Sequence, residues 1–521
     1  MQFAIFKADL KMGHYAHARG KRFELNSSTS VAQHKAHLFD TLKELGAIVP
    51  VDGMISLKDY KALCARPDTV LATMHGCPPW DVPRRLLSHS LGDFMLVGGF
   101  FDPDVFSPNA VNIVTSAWQA KRLREHLGQA APQLVAFTPR LKEDNFYPPS
   151  LKEKAAARKK MKVNGDVKHI VYAGRWLANK GISQLIRALN LWPMKNVKVT
   201  LVGNFEPAFV INQSGSTHLT FGDHFLRETV QRNQAVALSM LKTHGPDELR
   251  ELLWSADVFV YPSVHEDENF GMAPREAVLC GVPVVVTDFC GLGQLGRGVG
   301  GLLPTYQTLA GPRYSLRQLR DLIGASFAVK QPRLEKNIRF VKDECDPAQA
   351  KADLKTALER LIKIPLAPAV SRVRDRVKIF NELLCYADSG ILQAIVGKKQ
   401  SIPQGLLVDG TGRYSKEFLY HKLLSTTQGF YTTYDHPPQI KPGDILKGFF
   451  RLSLWQEEKA LAEIGFPGPR VKRYNDNDWR DLVACVEAHP GQELTIVPRT
   501  SDQLRMAQEL VELGYLVPDI W

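Results

Sequence analysis

The sequence predicts an α/β protein with two doubly wound, Rossmann-like parallel-sheet domains and an additional C-terminal α/β or α+β region. Two series of short apolar runs, each alternating with amphipathic stretches, carry that prediction, because strand–helix alternation argues for a parallel sheet covered by helices. A Pro- and Lys-rich break over 138–164 separates the two series, and the texture changes after about residue 366.

In chain order, FAIF (3–6), GAIVPVDG (46–53), TVLATMHG (69–76), FMLVGG (94–99), VNIVTS (111–116) and PQLVAF (132–137) read as strands of a first domain spanning 1–150. VAQHKAHLFDTLKEL (31–45) and WQAKRLREHL (118–127) have helical spacing. The second series, expected as a domain over 165–345, is cleaner. HIVYAG (169–174), VKVTLVG (197–203), VFVYPS (258–263) and PVVVTD (283–288) are Val-rich runs of the kind that strands buried on both faces require. The stretches 182–192, 247–255 and 274–280 read as their helices. Residues 346–365 predict a linking helix, with Asp346 at the N-cap and Pro347 at the first helical position. The last region, 366–521, returns to βα texture near ELTIVPR and SDQLRMAQELVELGYL but carries no readable motif.

The 521 residues hold 66 Lys and Arg against 54 Asp and Glu, a net charge of +12, with 44% apolar and 23% charged residues. This is globular usage and excludes a disordered or fibrous chain. No run of 18 apolar residues appears, so no membrane-spanning helix is expected. The start, MQFAIFKADL, is interrupted by Lys7 and Asp9 and reads as a first strand rather than a signal peptide. A cytoplasmic chain is expected. Its seven cysteines form no CxxC pair and read as buried thiols. The excess of positive charge points to an anionic partner.

Chemistry concentrates in two places. In VFVYPSVHEDENFGMAPREAVLCG (258–281) a strand ends at Pro262-Ser263, and a loop carries Glu268, Phe270 and Gly271. A helix then opens near Pro274, with Glu276 expected in its first turn. Amides at Gly271 and Met272 would point out of a helix N-terminus, a ready site for an anion or hydroxyl. Glu268 and Glu276 can face one ligand at the carboxyl edge of the sheet, where open α/β sheets bind ligands. In YAGRWLANKG (172–181), Arg175 and Lys180 place two cations at a strand-to-helix crossover, suited to a diphosphate. Solvated charges are the plain alternative for each cluster alone.

These segments resemble retaining GT-B glycosyltransferases, specifically glycosyltransferase family 4. AGRWLANKG is similar to that family's phosphate segment, ENFGMAPREA to its paired-glutamate element, and GVPVVVTDFCG to its following strand and loop. VNIVTSAWQAKRLREHLG and FTPRLKEDNFYPP are similar to the unit that precedes its second domain. The resemblance implies two Rossmann-like domains facing a cleft. It implies that Arg175 and Lys180 bind the diphosphate of a nucleotide-sugar, Glu276 the ribose and Glu268 the donor sugar. The amides of Phe270, Gly271 and Met272 would add contacts. His75 matches a histidine beside the reacting sugar, and Gly13 matches an N-terminal glycine loop whose usual second glycine is missing. Glu266 competes with Glu268, and Gln294 stands where many relatives carry a glutamate.

The function expected is retaining transfer from a nucleoside-diphosphate sugar to a glycan, lipid-linked or other hydroxyl acceptor. No cofactor and no essential metal are implied. A nucleotide-sugar epimerase and a catalytically silent nucleotide-sugar-binding protein are the alternatives. GLGQLG (291–296) has the form of a dinucleotide fingerprint, yet no acidic residue follows about 20 positions on, so a donor-site glycine loop is expected instead. Asp102-Pro103-Asp104 reads as a turn. His14/His17 and His34/His37 read as histidines on helix faces. Nucleic-acid binding has only net charge behind it and is not expected. The cluster Lys152, Lys154, Arg158, Lys159, Lys160 and Lys162, with Arg372, Arg374 and Arg376, reads first as a solvated surface, with peripheral contact with an anionic membrane at its inner face as the alternative.

Overall fold

The first apolar run becomes β1 (Gln2–Phe6), with Phe3, Ala4 and Ile5 fully buried. A computed structural model of the chain describes residues 1–6, 16–18, 21–23, 30–51, 55–73, 83–88, 109–127, 133–141, 144–176, 180–203, 233, 236–242, 245–265, 268–308, 311–366, 433–434, 436–448, 486–487, 495–513 and 516–519. They fold as two compact units. One takes Met1–Lys142 and the segment that returns from Lys342; the other takes Glu143–Val341 and the described residues from 433 onward.

After β1, the short strands β2 (Ala16–Ala18) and β3 (Lys21–Phe23) pair antiparallel. Then come α1 (Ser30–Leu45), β4 (Ala47–Val51), α2 (Leu57–Cys64), β5 (Thr69–Thr73), β6 (Leu86–Ser88), β7 (Ala110–Val114), α3 (Ala117–Leu127) and β8 (Gln133–Ala136). Six of these strands form a parallel sheet in the order β4-β1-β5-β6-β7-β8. The sequence pattern misses β6, which at three residues is too short to read. The strand expected over 94–99 lies outside the described residues. His34 and His37 sit on α1 against the Phe137 ring, whereas His17 belongs to β2 rather than to a helix.

The second unit opens with α4 (Leu151–Lys160), whose Ser150 and Glu153 form a reciprocal capping box. There follow β9 (Lys168–Ala173), α5 (Ile182–Leu191), β10 (Val197–Val202), β11 (Ala237–Leu241), α6 (Pro246–Ser255), β12 (Val258–Tyr261), α7 (Met272–Leu279), β13 (Val284–Thr287), α8 (Cys290–Val299) and β14 (Leu302–Leu303). All six strands run parallel in the order β11-β10-β9-β12-β13-β14. This is the Rossmann arrangement, with its change of direction between β9 and β12. A hairpin, β15 (Tyr306–Thr308) and β16 (Gly311–Arg313), precedes α9 (Leu316–Ser326) and α10 (Gln331–Glu344).

The stretch read as a linking helix is α11 (Pro347–Leu361), with Asp346 Oδ1 accepting from the Ala348 amide at 2.9 Å. It is a wall of the first unit's core. Ala350, Leu354, Ala357, Leu358 and Leu361 form one apolar stripe packed among Phe3, Ile5, Val70, Val111 and Phe137.

Of the C-terminal region, β17 (Leu446–Gly448), β18 (Val486–Glu487), β19 (Thr495–Ile496) and β20 (Leu516–Pro518) form an antiparallel sheet beside α12 (Ser501–Leu513). It is fastened to the second unit. Buried Arg187 of α5 donates to the Gly448 carbonyl at 2.7 Å, and Ser315 Oγ donates to the Asp519 carbonyl. Among the described residues, no helix is long and apolar enough to cross a membrane.

Candidate functional site

Two strand ends meet at the crossover of the second sheet. Beyond β9 lie Gly174 and Arg175; beyond β12 lie Pro262 and Ser263. The rings of Tyr172 and Tyr261 stack at 5.3 Å, and Tyr172 Oη donates to the Arg175 carbonyl at 3.0 Å. Burial, reinforced by the Glu268 charge, pushes both phenols well above the usual tyrosine range, so they remain protonated donors.

Helix α5 starts unusually close to the β12 loop. Gly181 precedes it with φ at 77°, and a Cβ there would stand 2.2 Å from the Pro262 carbonyl oxygen, so only glycine permits the approach. That approach brings Lys180 onto Glu268. Lys180 Nζ lies 2.5 Å from Glu268 Oε1, with the two side chains 4% and 5% exposed. Ser263 Oγ donates to the same oxygen at 2.7 Å. Its own position is set by the His265 amide, which donates to Ser263 Oγ at 3.2 Å, and by Thr287 Oγ1, which donates to the Ser263 carbonyl. Removing two charges from water is costly unless pairing and hydrogen bonds compensate, and here both are present.

Helix α7 begins at Met272, and Gly271 at its N-cap has no side chain with which to cap that end. The first-turn amides therefore point outward with the positive end of the helix dipole. Beneath them Arg275 is fully buried. Its guanidinium lies 3.8 Å from the Phe270 ring centroid, and Nη1 donates to the carbonyls of Phe270 and Gly271. Glu276 does not fall in the first turn as expected. The helix opens two residues before Pro274, which sets Glu276 in the second turn, half-buried.

The expected glycine loop at 291–296 is instead the body of α8. A Cβ at Gly291 would lie 2.0 Å from the Asn269 carbonyl oxygen, so this glycine serves close packing rather than loop freedom. The Gly291 amide donates to the Glu268 carbonyl at 2.7 Å, tying α8 to the same loop. Asp288, at the end of β13, pairs with Arg297 at 2.5 Å and accepts from Thr433 Oγ1 at 2.9 Å. The C-terminal region thus reaches the carboxyl edge of this sheet.

The structure brings Lys180 and Glu268 into contact and sets Phe270, Gly271, Met272 and Glu276 on the adjoining loop and helix. Arg175 stands at the same edge but its side chain is exposed. Gly13, His75 and Glu266, like Asp102 and Asp104, lie outside the described residues. Sequence reasoning passed over Ser263 and Arg275. A serine two residues beyond a buried strand and an arginine one position before Glu276 were the signals.

Residues 153–297 match the family described as Glycosyl transferases group 1. An uncharacterised glycosyltransferase of Methanocaldococcus jannaschii is 34% identical over 147 residues, 28% of this chain and 34% of that protein. A D-inositol 3-phosphate glycosyltransferase of Corynebacterium aurimucosum is 27% identical over 259 residues, 46% of this chain and 59% of that protein. The chain thus spans between a third and three fifths of the length of these relatives. Among solved structures, a sucrose-phosphate synthase from Thermosynechococcus elongatus aligns with a TM-score of 0.48 and 18% identity, covering 69% of this chain and 99% of that one.

Proposed function

We propose, from the premise that residues 153–297 belong to the glycosyl transferases group 1 family, that the chain is a retaining, metal-independent glycosyltransferase of family 4. It moves a sugar from a nucleoside-diphosphate sugar to a hydroxyl acceptor such as a glycan or a lipid-linked saccharide. The observation that carries this reading is the buried Lys180–Glu268 pair at the β9/β12 crossover, where an ammonium and a carboxylate share one ligand edge.

Lys180 and Arg175, with the uncapped N-terminus of α7, offer preorganised positive charge to the departing diphosphate. That charge is the role a divalent cation fills elsewhere, so chelation should leave turnover unchanged. Glu268 receives hydroxyls of the donor sugar, and Glu276 receives those of the ribose. Amides of Phe270, Gly271 and Met272 complete the contacts. His75 and Gly13 are proposed for the reacting face of the sugar and the acceptor side. The Lys152–Lys162 cluster is proposed to rest on an anionic membrane, with the chain in the cytoplasm. Within it, Arg158 is committed to Asp257 and the Val167 carbonyl, and Lys160 pairs with Glu251, leaving Lys152, Lys154, Lys159 and Lys162 for lipid.

A panel of nucleotide-sugars tested for thermal stabilisation, followed by transfer assays with the stabilising donor, tests the reading. Glu276→Ala, a change at a half-buried helix position, should lower transfer about 100-fold or more while leaving the unfolding midpoint within a few degrees. Near-normal transfer in that variant overturns the ribose assignment. Epimerised donor without acceptor, or binding without turnover, would favour the two alternative functions.

A further inference from the structure

We infer that Ser263 is a positioning residue for transfer: it fixes the Glu268 carboxylate so that the sugar meets it in one orientation. The inference rests on the reading of Glu268 as the donor-sugar acid and adds a residue that holds that acid in one orientation.

Ser263 is fully buried, two residues beyond the end of β12, and its hydroxyl both donates and accepts. It donates to Glu268 Oε1 at 2.7 Å and accepts from the His265 amide at 3.2 Å. The first bond aims the hydroxyl hydrogen at the carboxylate, and the second removes its freedom to rotate away. The serine backbone is held as well, since Thr287 Oγ1 on β13 donates to its carbonyl. Ser263 is therefore clamped from the neighbouring strand before it touches Glu268.

On the other side, Lys180 places its ammonium on the same oxygen, and the Tyr261 hydroxyl also hydrogen-bonds the carboxylate. Lys180 alone would be a poor anchor for orientation. An ammonium is a point charge on a flexible stem, with no preferred approach to either carboxylate oxygen. It is also the group proposed to face the diphosphate, so its contact with Glu268 changes when ligand arrives. A neutral buried hydroxyl carries no charge to share with the diphosphate. Hydrogen-bond partners that lock a first-contact side chain are what keep a site within the tolerance productive geometry demands.

The experiment is a double-mutant cycle. The variants are Ser263→Ala, Ser263→Thr, Ser263→Cys, Glu268→Ala and Ser263→Ala/Glu268→Ala. Each is assayed for kcat and KM with the nucleotide-sugar, for affinity toward the bare nucleoside diphosphate, and for unfolding midpoint. Ser263→Ala should lower kcat/KM for the donor about tenfold, the worth of one charged hydrogen bond, with nucleoside-diphosphate affinity unchanged. Ser263→Thr keeps the hydroxyl and should stay within about twofold; Ser263→Cys, similar in size but a weak donor, should fall with alanine. On the Glu268→Ala background the Ser263→Ala change should cost nothing further, because the group it positions is gone.

An undiminished penalty on that background overturns the inference. So does a loss of nucleoside-diphosphate affinity that tracks a lower midpoint across the Ser263 series, the pattern of a loop merely loosened. A wild-type chain that neither binds nucleoside diphosphate nor turns over any donor overturns the parent reading and this inference with it. Full activity in Glu268→Ala beside an active wild type overturns the sugar-acid role and this inference with it, while the transferase reading stands.

Discussion

Among the described residues, the buried arginines of the first sheet stand at its amino end, whereas the second sheet gathers buried charge at its carboxyl end. In the first unit the buried arginines, Arg84 and Arg85, stand just before β6, at the amino end of the sheet. Arg85 Nη2 donates to the Ile364 carbonyl at 3.3 Å, beyond the last turn of α11. A cation there meets the negative end of a helix dipole and needs no ligand to explain it. In the second unit Lys180, Glu268, Arg275 and Asp288 are buried at the carboxyl end. Charge in the first place fastens the returning helix; in the second it gathers where α/β sheets open toward substrates. Burial alone does not mark a site. The proposed site is set apart by the end of the strands that its charge occupies.

The largest expected effect tests whether the Lys180–Glu268 pair belongs to that second class. Lys180→Met leaves the Glu268 carboxylate buried without its counter-charge and should cost about 3–5 kcal/mol of stability. It should also lower transfer by about 100-fold or more. Lys180→Met/Glu268→Met removes both charges and should recover most of the stability while leaving transfer absent. Denaturant unfolding and initial rates on the three variants separate the two effects. Transfer that returns with stability in the double variant would make the pair simple packing, and the contrast between the edges would fail.

A second effect sharpens the comparison, because the second unit also buries a titratable group that is wholly structural. His169 on β9 is enclosed, with its ring nitrogens 2.8 Å from Thr200 Oγ1 and 3.2 Å from the Ser255 carbonyl oxygen. Burial lowers its pKa from 6.5 to about 4. The unfolded chain takes up a proton as pH falls through 6.5, while the folded chain resists until about 4. Stability from the neutral ring is therefore complete above the first value and is lost on descending toward the second, by about 3 kcal/mol in all. Urea unfolding at pH 7.5 and 4.5 should show that loss, and His169→Gln should flatten it. An unchanged slope in the variant would assign the acid sensitivity to other groups.

Much of this architecture was legible because buried parallel strands leave continuous Val-rich runs, as in β9, β12 and β13. Strands β6 and β14 were not legible, at three and two residues too short for any periodicity. The apolar stripe of α11 announced burial but not which core would receive it; that depends on tertiary packing. Lys180 and Glu268 could each be placed at a strand end from local pattern. Their contact required knowing that β9 and β12 are neighbours, which crossover topology decides. Gly291 misled for a different reason. Glycine marks both loop freedom and close approach, and the pressed contact with Asn269 shows it was the second.

The smallest expected effect lies at the other edge. Arg85 is buried and donates to the Ile364 carbonyl, and among the described residues its Nε and Nη1 have no hydrogen-bond partner. Much of its stabilising role is then the charge itself against the end of α11, typically about 0.3–1 kcal/mol and up to about 2 when buried. Arg85→Met retains most of the aliphatic volume and removes both the charge and the cost of keeping it dry. The two changes oppose one another, so the net loss should be about 1 kcal/mol or less, read as a shift of the unfolding midpoint by a few degrees at most. Donor affinity should not move, since nothing assigned to the donor lies at that edge. A weakened nucleoside-diphosphate affinity in Arg85→Met would show that charge at the amino edge also serves ligand, and the rule drawn from strand direction would no longer hold for this chain.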